Sequence, residues 1–434
     1  MLIDNDKNRI ISTIEAETLT NTISVIPDVL AQHADTAAAL ALNRFYAVQS
    51  SDYDLSDLKK LESRLEGNLD GLFISGNEGW PFYNKHLSAD EYGEIFVKAE
   101  LAIKLKSSER FESTFEAAAD NEELLNAITD AFIWLPYKEI AFYLDLLYKI
   151  QKPEKQFVAI AASAGHGVIN IEHLKDALTS TNIPLRRRAL FAVAELGEEE
   201  LKTCLIESLD HEDSSIQFAA CWALTRFGNA NAMQRLESFL TDPIYGERAI
   251  QLVAMQKDVN KTINILRELF KTKETKRLSI FGMGLLGNPR SIEPLIQLMY
   301  DPELARVAGE AFSFITGVDL DYEDLNQDAP EGVELGPNDD PKDGNVAMDV
   351  DEDLPWPNPQ LIAGWWQQNK NRFDPNKKYI LGREESVAQY KNVLITGTQK
   401  QRAFAALVIA AHQQNQPIFN VYGPAKRQMQ LLGI

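Results

Sequence analysis

Apolar residues recur with a period of about thirty residues in the middle of the chain. Five anchor positions, four of them glycines, are separated by steps of 31, 30, 29 and 30 residues: Gly197, Gly228, Asp258, Gly287 and Gly317. A leucine stands eight residues after each of the first four anchors, and Leu, Phe or Met stands twelve residues after. Positions one helical turn apart share a face of a helix, so the pattern predicts an amphipathic helix after each anchor.

The same period predicts a second helix before each anchor, because the residue eight positions earlier is mostly small. A left-handed glycine ends a helix cheaply, so the anchor glycines are expected at the turn within each helix pair. Pro243 and Pro302, each fifteen residues past an anchor, are expected in the first turn of the next helix. One pair cannot bury its apolar face alone, so the pairs are predicted to stack into a solenoid. An irregular helical bundle with accidental periodicity is the alternative.

Short HEAT-like repeats have a similar period, with small residues in the first helix and glycine at the turn. The flanks also show helical spacing, as in the stripe Tyr92, Phe96, Ala99 and Ile103, and no strand-like alternation is sustained. The sequence therefore predicts an all-α fold, a HEAT-like helical-repeat solenoid with an N-terminal helical region and a small C-terminal helical module. The predicted boundaries are 1–150 for the N-terminal region, 151–318 for the solenoid, 319–353 for an acidic flexible linker and 354–434 for the basic C-terminal module.

The linker is predicted from charge. The chain has a net charge of -21, and residues 319–353 hold 14 acidic side chains against one lysine, with several prolines and glycines. Few apolar residues and like charges are typical of a mobile segment. A calcium loop is disfavoured, because Asp324 and Pro330 stand where such a loop needs glycine and glutamate. A third hypothesis is that this segment folds back onto residues 360–434, which hold 10 basic and 3 acidic side chains.

Composition also restricts the function. A strongly acidic chain is a poor partner for a nucleic-acid backbone, and its apolar runs fall short of the roughly 18 residues that span a bilayer. Two cysteines, Cys204 and Cys221, and a polar N-terminus indicate a reducing, cytoplasmic location. The six histidines lack repeat spacing, and no phosphate loop, serine elbow or zinc motif is present. We therefore predict no catalytic residue, metal or cofactor, and neither a nucleic acid nor a membrane as partner.

Two groups of residues are candidates for protein binding. The first is basic and lies on the predicted repeats: Arg186, Arg187, Lys273 and Arg277. These side chains could contact acidic residues of a partner, or they could be solvated helix ends. The second group is Trp365 and Trp366 in the C-terminal module. Tryptophan is enriched at the energetic centres of interfaces, but a small module also needs it as core.

Several segments outside the repeats resemble an uncharacterised bacterial family of HEAT-like repeat proteins that is often encoded beside type VI secretion genes. They are residues 58–72, 76–80, 353–359, 365–366, 371–373, 379–383 and 399–406. The resemblance implies a cytoplasmic accessory protein of contact-dependent secretion and supplies no functional residues. The favoured hypothesis is an immunity protein that binds and neutralises a secreted toxin. The alternatives are an adaptor or chaperone that loads an effector or spike-tip protein and, from another class, an enzyme on a HEAT-like scaffold.

Overall fold

The computed structural model describes residues 25–88, 90–333, 336, 348–413 and 415–434. These residues form 22 α-helices and one short hairpin, in which β1 (Tyr379–Ile380) pairs antiparallel with β2 (Arg383–Glu384), so the predicted all-α fold is confirmed. Residues 334–335 and 337–347 of the predicted linker, and 1–24 of the predicted N-terminal region, lie outside the described residues. The helices are α1 Pro27–Ala47, α2 Leu55–Ile74, α3 Gly76–Tyr83, α4 Tyr92–Lys104, α5 Ser108–Ala118, α6 Glu122–Trp134, α7 Tyr137–Lys149, α8 Pro153–Gly165, α9 Ile171–Leu178, α10 Ile183–Leu196, α11 Lys202–Glu207, α12 Ser214–Arg226, α13 Ala230–Leu236, α14 Gly246–Ala254, α15 Val259–Leu269, α16 Lys273–Leu286, α17 Ile292–Leu298, α18 Ala305–Thr316, α19 Pro359–Asn369, α20 Val387–Thr396, α21 Gln399–His412 and α22 Ala425–Leu432.

Apart from α2 and α3, the helices before residue 317 are arranged in two layers. An inner row, in which each helix packs on the next, consists of α1, α4, α6, α8, α10, α12, α14, α16 and α18. The helices between them, α5, α7, α9, α11, α13, α15 and α17, form an outer row that lies against the inner one. The inner helices are rich in buried alanine, leucine and phenylalanine, because they are covered on more than one side. This arrangement is the stacked series of helix pairs that the period predicts.

The turns within the pairs follow the anchor residues. Gly197, Gly228, Gly287 and Gly317 adopt φ angles of 78, 78, 68 and 71°, which confirms the predicted left-handed glycine at the turn. At Asp258, the one anchor that is not glycine, the carboxylate instead caps α15 by accepting a hydrogen bond from the Lys261 amide at 3.0 Å. The prediction for Pro243 and Pro302 was wrong, since both lie in the turn that precedes α14 or α18.

The inner row bends until its two ends meet. A straight row of these helices, about 9 Å apart, would place α1 and α18 roughly 70 Å from each other. Instead, the Ser51 hydroxyl, in the loop after α1, hydrogen-bonds to Glu310 of α18. The Nζ of Lys400, in α21, lies 3.4 Å from the same Glu310 carboxylate. The backbone amide of Lys400 donates a hydrogen bond to the Ser50 carbonyl at 3.1 Å. The repeats therefore form a nearly closed arc.

The C-terminal residues run along the rim of this arc, where the inner helices end. The last carbonyls of a helix have no partner within it, and they carry the negative end of the helix dipole. The amide of Leu381 donates to the Phe314 carbonyl at 2.9 Å, and that of Ile418 donates to the Glu195 carbonyl at 2.7 Å. Lys378 Nζ donates to two carbonyls at the end of α14, at 3.0 Å each. Part of the basic charge of residues 360–434 thus lies at the rim, while Lys400 and Lys426 pair with carboxylates.

The two ends of the acidic segment lie side by side. An isolated bridge joins Asn326 to Pro357, so the chain leaves the arc and returns to it at one place. Among the described residues of this segment, Asp351 accepts two hydrogen bonds from Arg277 at 2.6 and 2.9 Å. Asp349 pairs with Arg306, whose guanidinium also lies 4.6 Å from the Trp356 ring. These acidic side chains therefore contact α16 and α18.

A buried carboxyl in α4 makes stability depend on pH. Glu100 is 1% exposed, and burial raises its pKa to about 7, although Lys104 lies 3.4 Å away. Because this pKa exceeds the ordinary value of about 4.3, the folded state holds the proton more tightly. Its stabilising contribution is complete below about pH 4 and is lost as the pH rises through about 7.

We therefore expect Glu100→Gln to raise the free energy of unfolding at pH 8 by about 3 kcal/mol and to have an effect below about 1 kcal/mol at pH 5. Urea unfolding of both proteins at the two pH values measures the difference, with Glu91→Gln, an exposed glutamate beside the start of α4, as control. A Glu100→Gln effect of equal size at both pH values would contradict the assignment.

Candidate binding cavity inside the arc

The structure pairs most of the predicted basic residues with other parts of the chain. Arg186 donates to the Ser208 hydroxyl at 3.0 Å, and Arg187 forms an ion pair with Glu122 of α6. Arg277 holds Asp351, as described above. Lys273 is different, since 83% of its side chain is exposed and the nearest carboxylate, that of Glu303, is 3.9 Å away. A binding role for these four residues stays a prediction.

The two predicted tryptophans pack against neighbouring aromatic rings. Trp365 is half-buried and meets the Phe312 ring edge-on, with ring centroids 5.6 Å apart. Trp366 is 5% exposed, and its ring centroid lies 5.5 Å from that of Phe373. The indole Nε1 of Trp366 has no hydrogen-bond acceptor among the described residues. The Trp366 side chain lines a cavity of about 650 Å³. Both tryptophans contribute to the core of the molecule, and a binding role for them stays a prediction.

The inner face of the arc contains a further cavity of about 630 Å³, to which Arg187 also contributes. Its walls come from α6, α8, α10 and the region around α14, and the C-terminal residues 418–422 border it. Much of the lining is apolar: Phe45, Val48, Ile133, Phe157, Ala161, Phe191, Ile244, Tyr245, Ile418 and Phe419. A concave site with an apolar lining and a few polar groups is the usual form of a binding site.

Three arginines border this cavity, and two of them are neutralised within the chain. Arg187 pairs with Glu122, and Arg188 binds Glu195 through both of its terminal nitrogens, one of them at 3.0 Å. The third, Arg248 of α14, has neither a hydrogen bond nor an ion pair to any residue that the structure describes.

Aromatic rings hold the Arg248 side chain in place. Its guanidinium carbon lies 4.1 Å from the centroid of the Phe191 ring and 5.0 Å from that of Trp222. Burial lowers the pKa of Arg248, and the nearby Glu195 opposes that shift. An arginine nevertheless keeps its charge at neutral pH, since its ordinary pKa lies far above neutral. The rings stabilise the cation without using its N–H donors, which stay available to an acceptor.

The repeat period contains a signal for Arg248 that was not used in the prediction. Arg248 stands ten residues before the anchor Asp258, and Arg187 and Arg277 stand ten residues before the anchors Gly197 and Gly287. Equivalent positions of stacked repeats lie on one side of a solenoid. The period could therefore have grouped Arg248 with the other two. The period could not have shown that Arg187 and Arg277 form ion pairs with carboxylates from outside their own repeats.

In the part of the chain that the structure describes, three further features bear on the function: groups of metal-ligating residues, helices that could span a membrane, and the surroundings of His166. No group of three or more His, Cys, Asp or Glu residues there could hold a metal ion, and none of its helices is long and apolar enough to cross a membrane. Burial lowers the pKa of His166 to about 4, and its Nε2 lies 3.1 Å from the Phe132 carbonyl oxygen. His166 thus binds a backbone group rather than a carboxylate.

Stacked helix pairs with glycine turns define an α-helical repeat protein. Residues 171–256, which run from the first residue of α9 to just past α14, match the family of HEAT repeats. The match covers about a fifth of the chain. No curated protein matches the chain. The chain therefore has a HEAT-like helical-repeat fold, and repeats of this class typically form scaffolds for contacts between proteins.

Proposed function

We propose that this protein binds another polypeptide on the inner face of its arc and has no catalytic role. The observation that carries the proposal is the cavity around Arg248, which combines an apolar lining with a guanidinium that forms neither a hydrogen bond nor an ion pair with a described residue. The C-terminal residues occupy the rim at the ends of α10, α16 and α18. A partner would enter the cavity between α6, α8, α10 and α14.

We further propose that the partner is a secreted toxin and that the protein acts as its immunity protein. The resemblance to proteins encoded beside type VI secretion genes supports this role. The net charge of -21 supports a basic toxin as the partner, because opposite long-range potentials accelerate encounter. An adaptor that loads the same toxin is the second candidate, supported by the same resemblance.

The experiment is affinity purification of the full chain from its native host, followed by co-expression with the protein it captures. We expect a basic polypeptide to co-purify and the host to grow when both proteins are made. We also expect the association rate to fall by about tenfold or more between low and high salt. Binding without protection from toxicity would favour the adaptor over the immunity protein. If no polypeptide co-purifies, the scaffold proposal itself fails.

A further inference from the structure

We propose that the cavity recognises a single carboxylate carried by an apolar peptide segment, and that Arg248 is the residue that binds it. The inference rests on the proposed function, since it names the chemical group of the partner that enters the site. Its evidence is the charge balance, the lining and the geometry of the Arg248 side chain.

The pairing of charges in the cavity leaves one guanidinium open to an anion. Glu122 and Glu195 form ion pairs with Arg187 and Arg188. A third acid in the lining, Asp130, binds the Tyr92 hydroxyl, and burial raises the pKa of its carboxyl. Arg248 is attracted by Glu195 but forms neither a hydrogen bond nor an ion pair with a described residue. A carboxylate matches this one charge, whereas a phosphate dianion would bring excess negative charge close to Glu195.

The geometry of Arg248 favours a carboxylate for a second reason. A guanidinium presents its N–H donors in a planar fork that fits the two oxygens of a carboxylate. Contacts with Phe191 and Trp222 fix the orientation of this fork before a ligand arrives. A side chain fixed in advance loses little conformational entropy when it binds.

The lining indicates what carries the carboxylate. Ile244 is 74% exposed beside the cavity, and Phe419 and Ile418 border it from the C-terminal segment. Exposed apolar groups around a charged centre fit a carboxylate that is flanked by apolar side chains. In a polypeptide this group is either the chain terminus after an apolar residue or an acidic side chain between apolar ones.

The test uses two pairs of fluorescently labelled peptides with the full-length protein. The first pair is acetyl-Ala-Phe-Leu with a free carboxyl terminus and the same peptide with a terminal amide. The second pair is acetyl-Phe-Glu-Phe-amide and acetyl-Phe-Gln-Phe-amide. We expect the carboxylate member of at least one pair to bind ten times more tightly or better than its neutral counterpart, and the pair that responds identifies the source of the carboxylate.

Substitutions of Arg248 test whether this residue causes the preference for the carboxylate peptide. Arg248→Gln is expected to abolish the tenfold preference, and Arg248→Lys, which keeps the charge but not the fork, to retain part of it. Arg64→Gln, at an exposed arginine of α2, is the matched control and is expected to bind like the natural protein. If Arg248→Gln does not fold, the Arg248→Lys variant and competition with propionate test instead whether Arg248 binds the carboxylate. Propionate is expected to displace the peptide at lower concentration than inorganic phosphate.

Equal binding of both members in both pairs would overturn the proposal, as would stronger competition by phosphate. These outcomes differ from a failure of the proposed function. If a polypeptide co-purifies and binds Arg248→Gln as tightly as the natural protein, the scaffold proposal stands and the carboxylate inference fails. If no polypeptide co-purifies but the peptides show the preference, the carboxylate inference stands alone.

Discussion

Gly287→Ala is expected to lower the free energy of unfolding by roughly 4 kcal/mol and to release the β1–β2 hairpin from the end of α16. Gly287 has a φ of 68°, and a Cβ added there would lie 2.3 Å from the carbonyl oxygen of Tyr379. The Tyr379 amide also donates to the Gly287 carbonyl at 2.7 Å. The new methyl group therefore cannot fit without displacing the hairpin backbone, and the hydrogen bond is lost with it.

Gly167→Ala separates the effect of the contact from that of the backbone angle. Gly167 follows α8 with a φ of 69°, and nothing lies within 4 Å of the position of an added Cβ. Its substitution should therefore cost only the left-handed strain of alanine, about 1 to 2 kcal/mol. Chemical unfolding of both variants gives the two free energies, and amide hydrogen exchange shows whether residues 379–382 lose protection. Equal losses of stability in the two variants would show that the hairpin contact contributes nothing.

The repeat core was predictable from sequence because it is a local property. Spacing within about thirty residues sets which faces of the helices are apolar, and the left-handed glycines set where the turns fall. The all-α fold and the HEAT-like stacking followed from those two signals. The prolines Pro243 and Pro302 were misplaced because proline suits a turn as well as a first helical position, and their spacing does not distinguish the two.

The closure of the arc was not predictable, because it depends on contacts between residues hundreds of positions apart. Nothing near Gly287 in the sequence shows that Tyr379 lies against it, and nothing near Ile418 shows that its amide binds the Glu195 carbonyl. The basic charge of residues 360–434 was visible, but its targets were not. Lys378 binds backbone carbonyls, which have no sequence signature, and Lys400 and Lys426 bind carboxylates that are distant in the sequence.

The candidate site was partly predictable. The basic side chains predicted as binding candidates lie on helices α10 and α16, but their availability depends on pairing. Arg277 and Arg187 have carboxylate partners from other parts of the chain, whereas Arg248 has none among the described residues. A sequence shows which charges exist, and only the packed structure shows which of them are compensated. The four-part division of the chain stays a prediction, and the rim contacts tie residues 354–434 closely to the repeats.

A second large effect is expected at the other end of the arc, where a buried ion pair joins the N-terminal and C-terminal helices. Glu62 of α2 is 4% exposed and accepts hydrogen bonds from Arg44 at 2.8 Å and from the amide of Ala425 at 2.6 Å. Arg44, which is equally buried, also donates to the Tyr422 carbonyl at 2.8 Å. One carboxylate thus connects α1, α2 and the start of α22.

Glu62→Gln is expected to lower the free energy of unfolding by about 4 kcal/mol, because it leaves the Arg44 cation buried without its main counterion. The glutamine amide also cannot accept both hydrogen bonds as the carboxylate does, so the Ala425 amide or the Arg44 Nε loses its acceptor. Urea unfolding gives the loss of stability, and hydrogen exchange at the Ala425 amide shows whether α22 detaches from α2.

Glu66→Gln provides the matched control, because Glu66 lies one turn further along α2 and pairs with Lys426 of the same partner helix. Both side chains of that pair are about half exposed, so water screens the interaction and its loss should cost less than about 1 kcal/mol. The two substitutions remove the same chemical group from the same pair of helices and differ in burial. A loss of stability as small for Glu62→Gln as for Glu66→Gln would mean that the arc is held closed by its apolar and rim contacts alone.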